Sequence, residues 1–380
     1  MAMQCADFLV IGGGIAGLSA AARLTLSGNV TVIEAETALG YHSSGRSATF
    51  CHYGIGNATV RGLTSFSRAF FQEPPAGFSD YPLAKSKSAL FIATEAMLPT
   101  LAELATSMRR FTDTISEVDE AGMLELVPVL RTGQDAIIAG VVDSSGLKLD
   151  TDALMQGYAR IVRRGGGTII NGQRVGGIHR SDGLWQVTTA DGSSHAAPIL
   201  VNAAGAWADQ LAALAGVRPL GLEPKRRTMI VIDPPAGMAV NDWPFTKTAT
   251  DDFYMLPDSG RLMASPVDEV PSEPCDAQPE EYDLALAAWQ AEQYTTLPVV
   301  RIAHRWAGLR SFVADRVPTA GFAPDAPGFF WLAGQGGYGI QTAPAMAAIS
   351  AALITGGDWP KELTALGVTP AKILPDRLLG

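Results

Sequence analysis

The 380-residue sequence predicts an α/β fold, and three stretches of similar pattern support this prediction. Each stretch passes from an apolar run through a glycine turn into a helix of small residues, and they lie at residues 1–35, near 200 and near 335. The two blocks between them are richer in strand-forming patterns. We therefore predict a discontinuous Rossmann-type nucleotide-binding domain with an inserted, β-rich α+β domain that binds the substrate.

The first stretch contains the segment DFLVIGGGIAGLSAAARL, which has the pattern of a dinucleotide-binding turn. Residues 8–11 form an apolar run that suits a strand buried on both faces. Gly12, Gly14 and Gly17 then fit G-x-G-x-x-G, which provides a tight turn, close approach of a pyrophosphate and close packing of the next helix. A helix over 15–26 would direct its positive end at the phosphates.

A second apolar strand, at residues 30–33, ends in Glu34, which lies 17 residues beyond Gly17. A carboxylate at about this distance accepts hydrogen bonds from the ribose hydroxyls of a bound dinucleotide. Strand, glycines, helix, strand and acid in this order predict a dinucleotide site. NAD and FAD proteins share these features, so the motif alone leaves both open.

Composition restricts the class of protein. A hydrophobic content of 47% and a charged content of 17% are typical of a globular protein, here long enough for two intertwined domains. The net charge of −10 argues against nucleic acid and anionic membrane partners, and no apolar run is long enough to span a bilayer. Three scattered cysteines and five histidines show neither a disulfide framework nor metal-ligand spacing. We expect a cytoplasmic enzyme with a small-molecule substrate, no metal and no integral membrane segment.

Further elements follow along the chain. We predict helices over residues 58–73, 95–109 and 279–295, a strand over 88–93, and a helix leading into a strand over 148–170. The nucleotide-binding domain is then expected at residues 1–80, 144–218 and 317–380. The substrate domain is expected at 81–143 and 219–316.

Five segments together closely resemble the FAD-dependent D-amino-acid oxidase-like (DAO) family, and within it the bacterial D-arginine dehydrogenases. They are IGGGIAG with VIEA, GYHSSGRSA, LVNAAGAWAD, GLRSFVAD and GQGGYGIQTAPAMA. The resemblance covers nearly the whole chain. It implies that the nucleotide-binding domain holds FAD, non-covalently because no residue that must bond to the flavin ring is evident.

The resemblance also implies roles along the cofactor. Gly12, Gly14, Gly17 and Glu34 would hold the ADP half, and the turn at 44–47 would line the pyrophosphate and flavin. The segment 334–342 would direct helix amides at the flavin N1–C2=O locus. The expected cofactor contacts are Ile11, Gly12, Gly14, Ile15, Ala16, Gly17, Glu34, Ala35, Ser44, Gly45, Arg46, Ser47, Val175, Ala204, Gly205, Trp207, Gly308, Gly334, Gly336, Gly337, Tyr338, Gly339, Ile340 and Gln341.

Arg310 is the strongest candidate for substrate binding. It lies among apolar residues in WAGLRSFVAD, where a buried guanidinium is costly unless it meets an anion. Its planar fork suits a carboxylate. Arg227 and Tyr254 match the other carboxylate-binding positions of the family, although Arg227 alone is equally compatible with a structural salt bridge.

The resemblance implies oxidative deamination of an amino acid. With the carboxylate held and the amine neutral, the Cα–H would leave as a hydride to flavin N5, and the imine would hydrolyse to a 2-oxo acid and ammonia. The electrons would pass to a quinone, another carrier or O₂. His52 is the one titratable candidate for a general base near the predicted site. A structural role or a contact with the substrate fits this residue at least as well.

The sequence departs from the D-arginine pattern where the substrate side chain is expected to bind. The acid that would pair with a guanidinium aligns with Ala89, and a polar cluster aligns with Phe50, His52 and Ile55. With Gly337, these residues form the predicted substrate pocket. We therefore predict a D-amino acid with a neutral or apolar side chain.

Two alternatives remain at this point. One is oxidation of glycine, a secondary amine such as sarcosine, or a 2-hydroxy acid. The other is a non-enzymatic, flavin-binding electron carrier, which would not need two buried arginines.

Overall fold

The central sheet has six strands, which come from three separate stretches of the chain. The structure, a computed structural model, describes residues 4–379. In spatial order the strands are Thr168–Ile170, Val30–Ile33, Phe8–Ile11, Ile199–Asn202, Phe329–Ala333 and Thr319–Phe322. The first five are parallel and the last is antiparallel to its neighbour. This is the open parallel sheet that the three repeated patterns predict.

Both faces of the central sheet are covered, which is why its strands read as continuous apolar runs. Val10 is in register with Val32 and Val201, and these three pack against the helices Ile15–Leu24 and Gly339–Thr355. The alternate residues pack against a second layer on the other face. That layer includes a four-stranded sheet of Gln4–Cys5, Ser194–Ala197, Leu184–Thr189 and Val175–Ser181.

The inserted region forms a nine-stranded sheet. Eight strands follow in the order Val270–Pro271, Glu223–Ile232, Arg261–Ser265, Tyr254–Asp258, Phe245–Thr248, Ala89–Ala93, Ala139–Asp143 and Ile115–Val118. The ninth, Ile302–Phe312, pairs antiparallel along Glu223–Ile232. Phe245–Thr248 and Ala89–Ala93 are parallel to each other, and separate hydrophobic clusters cover the two faces of the sheet.

The helices match the predicted ones closely. The α-helices are Ile15–Leu24, Ala58–Gln72, Leu98–Met108, Glu120–Leu126, Thr151–Arg164, Ala208–Leu214, Glu281–Tyr294, Gly339–Thr355, Lys361–Ala365, Pro370–Ile373 and Asp376–Leu379. The predicted helix at 95–109 begins with the 3₁₀ turn Glu95–Met97. A second 3₁₀ turn is Gly205–Trp207. The Asp150 side chain caps Thr151–Arg164 by accepting from the Ala153 N–H.

A small three-stranded sheet joins the two regions. It consists of Phe50–Cys51, Leu147–Leu149 and Ala84–Ser86. The exact boundaries of the two predicted domains stay a prediction. Within residues 4–379, no helix has both the length and the apolar character needed to cross a bilayer.

Candidate active site

A cleft of two adjoining cavities runs past the ends of the central strands. The larger, of about 340 Å³, is bordered by Glu34 and is called the Glu34 cavity. The smaller, of about 140 Å³, is bordered by Arg310 and is called the Arg310 cavity. Gly14, Ser44 and Gly205 border both. Ligands of open α/β sheets bind in this position, outside the carboxyl ends of the strands.

The glycine turn at the Glu34 cavity has no room for side chains. Gly12 has φ +112°, and a Cβ there would lie 2.3 Å from the Ala203 carbonyl oxygen. A Cβ on Gly17 would lie 1.9 Å from the Gly12 carbonyl oxygen, because the first helix packs directly against the turn. The first and third glycines of the motif therefore have the steric roles that the spacing predicts.

Glu34 is held in a fixed orientation beside this turn. Its Oε2 accepts from the Gly13 N–H (2.6 Å) and its Oε1 from the Glu36 N–H (2.8 Å). Across the turn, the Ile15 N–H donates to Ser44 Oγ (3.0 Å) at the start of the first helix. A carboxylate and a helix N-terminus thus lie at the same cavity, which is the arrangement that binds a ribose and a pyrophosphate.

Two buried polar atoms in the cleft lack partners in the part of the chain that the structure describes. They are Gln173 Oε1 in the Glu34 cavity and Gln335 Nε2 in the Arg310 cavity. An unpaired buried polar atom is costly, so each site favours a ligand that supplies the missing partner. Together with the turn and Glu34, they fit FAD extended through both cavities.

Most of the predicted cofactor residues border one of the two cavities. The four that do not are Gly17, Gly45, Tyr338 and Gln341. Gly45 lies in a tight turn, where its N–H donates to the Gly40 carbonyl oxygen (2.7 Å). The Tyr338 hydroxyl donates to the Arg316 carbonyl, and Gln341 Nε2 to Thr64 Oγ1 (2.7 Å). The polar side chains of Tyr338 and Gln341 are thus bonded within the protein.

The start of the helix Gly339–Thr355 lies at the Arg310 cavity, as the resemblance implies. It has no side-chain cap, so its first amides are free to face a ligand. Gly337 precedes it, and a Cβ there would lie 2.6 Å from Arg310 Nη1. The Arg310 guanidinium therefore lies directly against the backbone of the glycine turn.

The three predicted carboxylate-binding residues meet at the Arg310 cavity. Arg227 is buried and its Nε donates to the Asp268 carbonyl oxygen (2.8 Å). Burial, and then the charge of Arg310, lower the pKa of Arg227 to about 10, so it remains charged at neutral pH. The Tyr254 hydroxyl lies 3.0 Å from Met229 Sδ.

Arg310 is half-buried rather than enclosed in the core, because its guanidinium faces the cavity. Among residues 4–379, no carboxylate pairs with it, and Glu269 instead pairs with Arg316 (2.6 Å). Arg227 has a carboxylate neighbour, since its Nη2 lies 3.5 Å from Glu269 Oε1. The guanidinium of Arg310, beside this second cation, therefore favours an anionic ligand.

Lys247 and Asp251 were not recognised from the sequence, although a lysine within the buried strand FTKT is itself a signal. Lys247 is buried, pairs with Asp251 (2.8 Å) and is opposite Tyr254 in the strand register. Burial lowers the pKa of Lys247, and Asp251 opposes that shift. Burial also acts on Asp251, but Lys247, Arg227 and Arg310 together hold its pKa below the usual value.

Four residues of the predicted substrate pocket do not border the Arg310 cavity: Phe50, His52, Ile55 and Ala89. Ala89 is fully buried and pairs with Phe245, whose ring lies 4.8 Å from Phe50 and 4.9 Å from His52. Ile55 packs beside Phe312 instead. Other residues form the wall of the Arg310 cavity, so a substrate contact of these four stays a prediction. Gly337 does border it.

His52 has the surroundings of a structural residue. Burial, and then the charge of Lys247, lower its pKa to about 3. Its Nδ1 accepts from the Gly54 N–H (3.1 Å), which fixes the neutral ring. A base this weak does not remove a proton from an ammonium group at neutral pH.

The fold and cleft define the class as a dinucleotide-binding α/β enzyme. The sequence model of the FAD dependent oxidoreductase family DAO matches residues 7–353, so the chain belongs to this family and its cofactor is FAD.

Solved structures agree on the fold. L-proline dehydrogenase from P. horikoshii is 22% identical with a TM-score of 0.82, over 99% of this chain and 98% of that one. Glycine oxidase from Geobacillus kaustophilus is 21% identical with a TM-score of 0.82, over 97% and 99%. L-α-glycerophosphate oxidase from Mycoplasma pneumoniae, with FAD bound, is 19% identical with a TM-score of 0.84, over 94% and 96%.

Glu34→Ala is expected to weaken FAD binding. Loss of a charge-assisted bond to the ribose costs about 1.5–3 kcal/mol, which raises the dissociation constant about 10- to 150-fold. Titration of the apoprotein with FAD, followed by flavin fluorescence, measures this change. The exposed Glu117→Ala is the matched control. Equal constants for the two variants would remove Glu34 from the cofactor site.

His52→Asn is expected to reduce the sensitivity of the fold to acid. Because the pKa of His52 is about 3 when folded and about 6.5 when unfolded, protonation favours the unfolded chain, and stability is lost as pH falls below about 6.5. From pH 7 to pH 5 this loss is about 2 kcal/mol. Asn keeps an acceptor for the Gly54 N–H but does not titrate.

Urea unfolding at the two pH values measures that difference. The variant should lose about 2 kcal/mol less than the wild type over this interval. The exposed His304→Asn serves as control. If the free energy of unfolding changes equally with pH in the wild type and in His52→Asn, then His52 is not buried in its neutral form.

Proposed function

We propose that this FAD-dependent oxidoreductase oxidises a D-amino acid with a neutral or apolar side chain, giving a 2-oxo acid and ammonia, with FAD bound non-covalently. The observation that carries this proposal is the guanidinium of Arg310, which faces the cavity beside Arg227 and has no carboxylate partner among residues 4–379. The electrons would pass to a quinone, another carrier or O₂.

A comparison of arginines on two paired strands supports a carboxylate ligand. Arg226, the neighbour of Arg227, points to the other face and is buried against Asp283 (2.8 Å) and Glu280. That is how a protein normally neutralises a buried cation. Arg310 lacks such a partner, so a substrate carboxylate would complete its bidentate bonding.

The residues around the cavity can orient the substrate and favour its neutral amine without a general base. Bound FAD would supply the two-electron acceptor for the oxidation. Holding the carboxylate at Arg310 and Arg227 restricts the orientation of the α-carbon. The positive charges of Arg310, Arg227 and Lys247 lower the affinity of the site for an ammonium group and thus favour the neutral amine that oxidation requires.

The cavity wall favours an uncharged side chain. Within residues 4–379, no aspartate or glutamate borders the Arg310 cavity, whereas apolar groups of Ala48, Met229, Leu309 and Ile340 do. A cationic side chain would lose its hydration and gain no partner there. The prediction that D-arginine is disfavoured therefore gains support from these residues rather than from Ala89.

Several of the similar structures support an amino-acid substrate, although L-α-glycerophosphate oxidase is named for a different compound. Their names include glycine oxidase, L-proline dehydrogenase and iminodiacetate oxidase, each named for a compound with a carboxylate and an amine. The D configuration rests on the family resemblance of the sequence.

Arg310→Ala should lower kcat/KM for the preferred amino acid, because the substrate carboxylate would be left unpaired. The expected loss of transition-state stabilisation is about 2–5 kcal/mol. Arg310→Lys should recover only part of the lost kcat/KM, because an ammonium group does not reproduce the bidentate geometry of the guanidinium. FAD content should not change. Steady-state kinetics test this, with the exposed Arg305→Ala on the same strand as control. Near-normal activity of Arg310→Ala would refute the carboxylate clamp.

Anaerobic mixing with single substrates identifies the substrate class. We expect neutral D-amino acids such as D-alanine to bleach the flavin absorbance rapidly, and D-arginine and D-lysine to do so slowly, because the cavity offers no counter-ion. The screen includes L-amino acids, sarcosine and 2-hydroxy acids. Faster bleaching by one of these classes would replace the proposed substrate, and no bleaching by any compound would favour the electron carrier.

A further inference from the structure

We propose that Phe245 sets the largest side chain that the substrate can carry, so that the wild-type site takes small ones. This inference rests on the proposed function and narrows its substrate class. Phe245 lies in the inserted sheet, outside both cavities, and had no role in the reasoning from the sequence.

The position of Phe245 follows from its contacts. Its ring centroid lies 5.4 Å from that of Tyr254, which borders the Arg310 cavity. On its other sides it stacks on Phe50 (4.8 Å) and approaches His52 (4.9 Å). Phe245 therefore fills the space immediately behind the cavity wall, between Tyr254 and the remaining aromatic rings.

Phe245 can also be replaced without removing a residue that borders the cavity. Tyr254 and Met229, which share its hydrophobic cluster, border the cavity themselves, and Tyr254 is a candidate for carboxylate binding. The register neighbour of Phe245 is Ala89, whose methyl group is too small to fill the gap. Truncating the ring would therefore leave an apolar space next to the cavity, and spaces of this kind take up small aromatic groups.

The test compares Phe245→Ala and the milder Phe245→Leu with Phe253→Leu. Phe253 is a fully buried phenylalanine of the same region, but it packs in the cluster on the opposite face of the sheet, against Tyr294. It therefore controls for loss of a buried ring away from the cavity. FAD content and far-UV circular dichroism confirm that each variant is folded.

Kinetics with D-alanine and D-phenylalanine give the first measurement. We expect the wild type to prefer D-alanine, and Phe245→Ala to raise the D-phenylalanine to D-alanine ratio of kcat/KM about 30-fold, as expected for burial of a phenyl group. Phe245→Leu should change the ratio in the same direction by less. Phe253→Leu should leave it unchanged.

Binding of two carboxylates gives a second measurement that needs no turnover. Perturbation of the flavin spectrum reports the dissociation constants of acetate and phenylacetate. Phe245→Ala and Phe245→Leu should bind phenylacetate more tightly relative to acetate than the wild type does. If no D-amino acid reduces the flavin but this shift occurs, the proposed function fails and the role of Phe245 stands. If both ratios in the Phe245 variants match those in Phe253→Leu, the inference is wrong.

Discussion

The antiparallel pairing of Glu223–Ile232 with Ile302–Phe312 is the constraint on which the candidate site depends. Its register places Arg227 opposite Gly308, and Arg310 follows two residues later on the same face. The two guanidinium groups are thereby fixed as diagonal neighbours, and the residue directly opposite Arg227 is a glycine. The glycine turn of the central sheet then meets Arg310 at Gly337. The ladder thus fixes the two guanidinium groups relative to the cofactor cleft.

Keeping these charges together requires compensation nearby. Arg227 is bonded to the Asp268 carbonyl, Asp268 itself accepts from Thr228, and Lys247 pairs with Asp251. Each acid neutralises part of the cluster without entering the Arg310 cavity. Burying like charges next to each other is unfavourable. Binding of an anion would offset the cost of leaving the guanidinium of Arg310 unpaired.

Sequence reasoning succeeded where the relevant contacts are local. The glycine turn, Glu34 and the helix Gly339–Thr355 depend on residues close in the chain, and their steric roles follow from spacing alone. It did not place Ala89 and Phe50 beside Phe245, because Phe245–Thr248 pairs in parallel with Ala89–Ala93 from more than a hundred residues away. No local pattern specifies that pairing. Arg310 was found because a cation in an apolar strand is itself unusual.

The two sides of the Arg310 cavity differ in how freely they can change. On the cofactor side the wall is backbone, at glycines such as Gly337 where an added Cβ would meet Arg310 at 2.6 Å, so substitution there disturbs the clamp. On the other side the wall is made of side chains from the inserted sheet, packed in a cluster separate from that of the glycine turn. Changes in this cluster alter the shape of the cavity and leave the cofactor contacts in place. Under the proposed function, the inserted sheet would set the substrate preference, and the ladder and the glycine turn would hold the carboxylate and the cofactor.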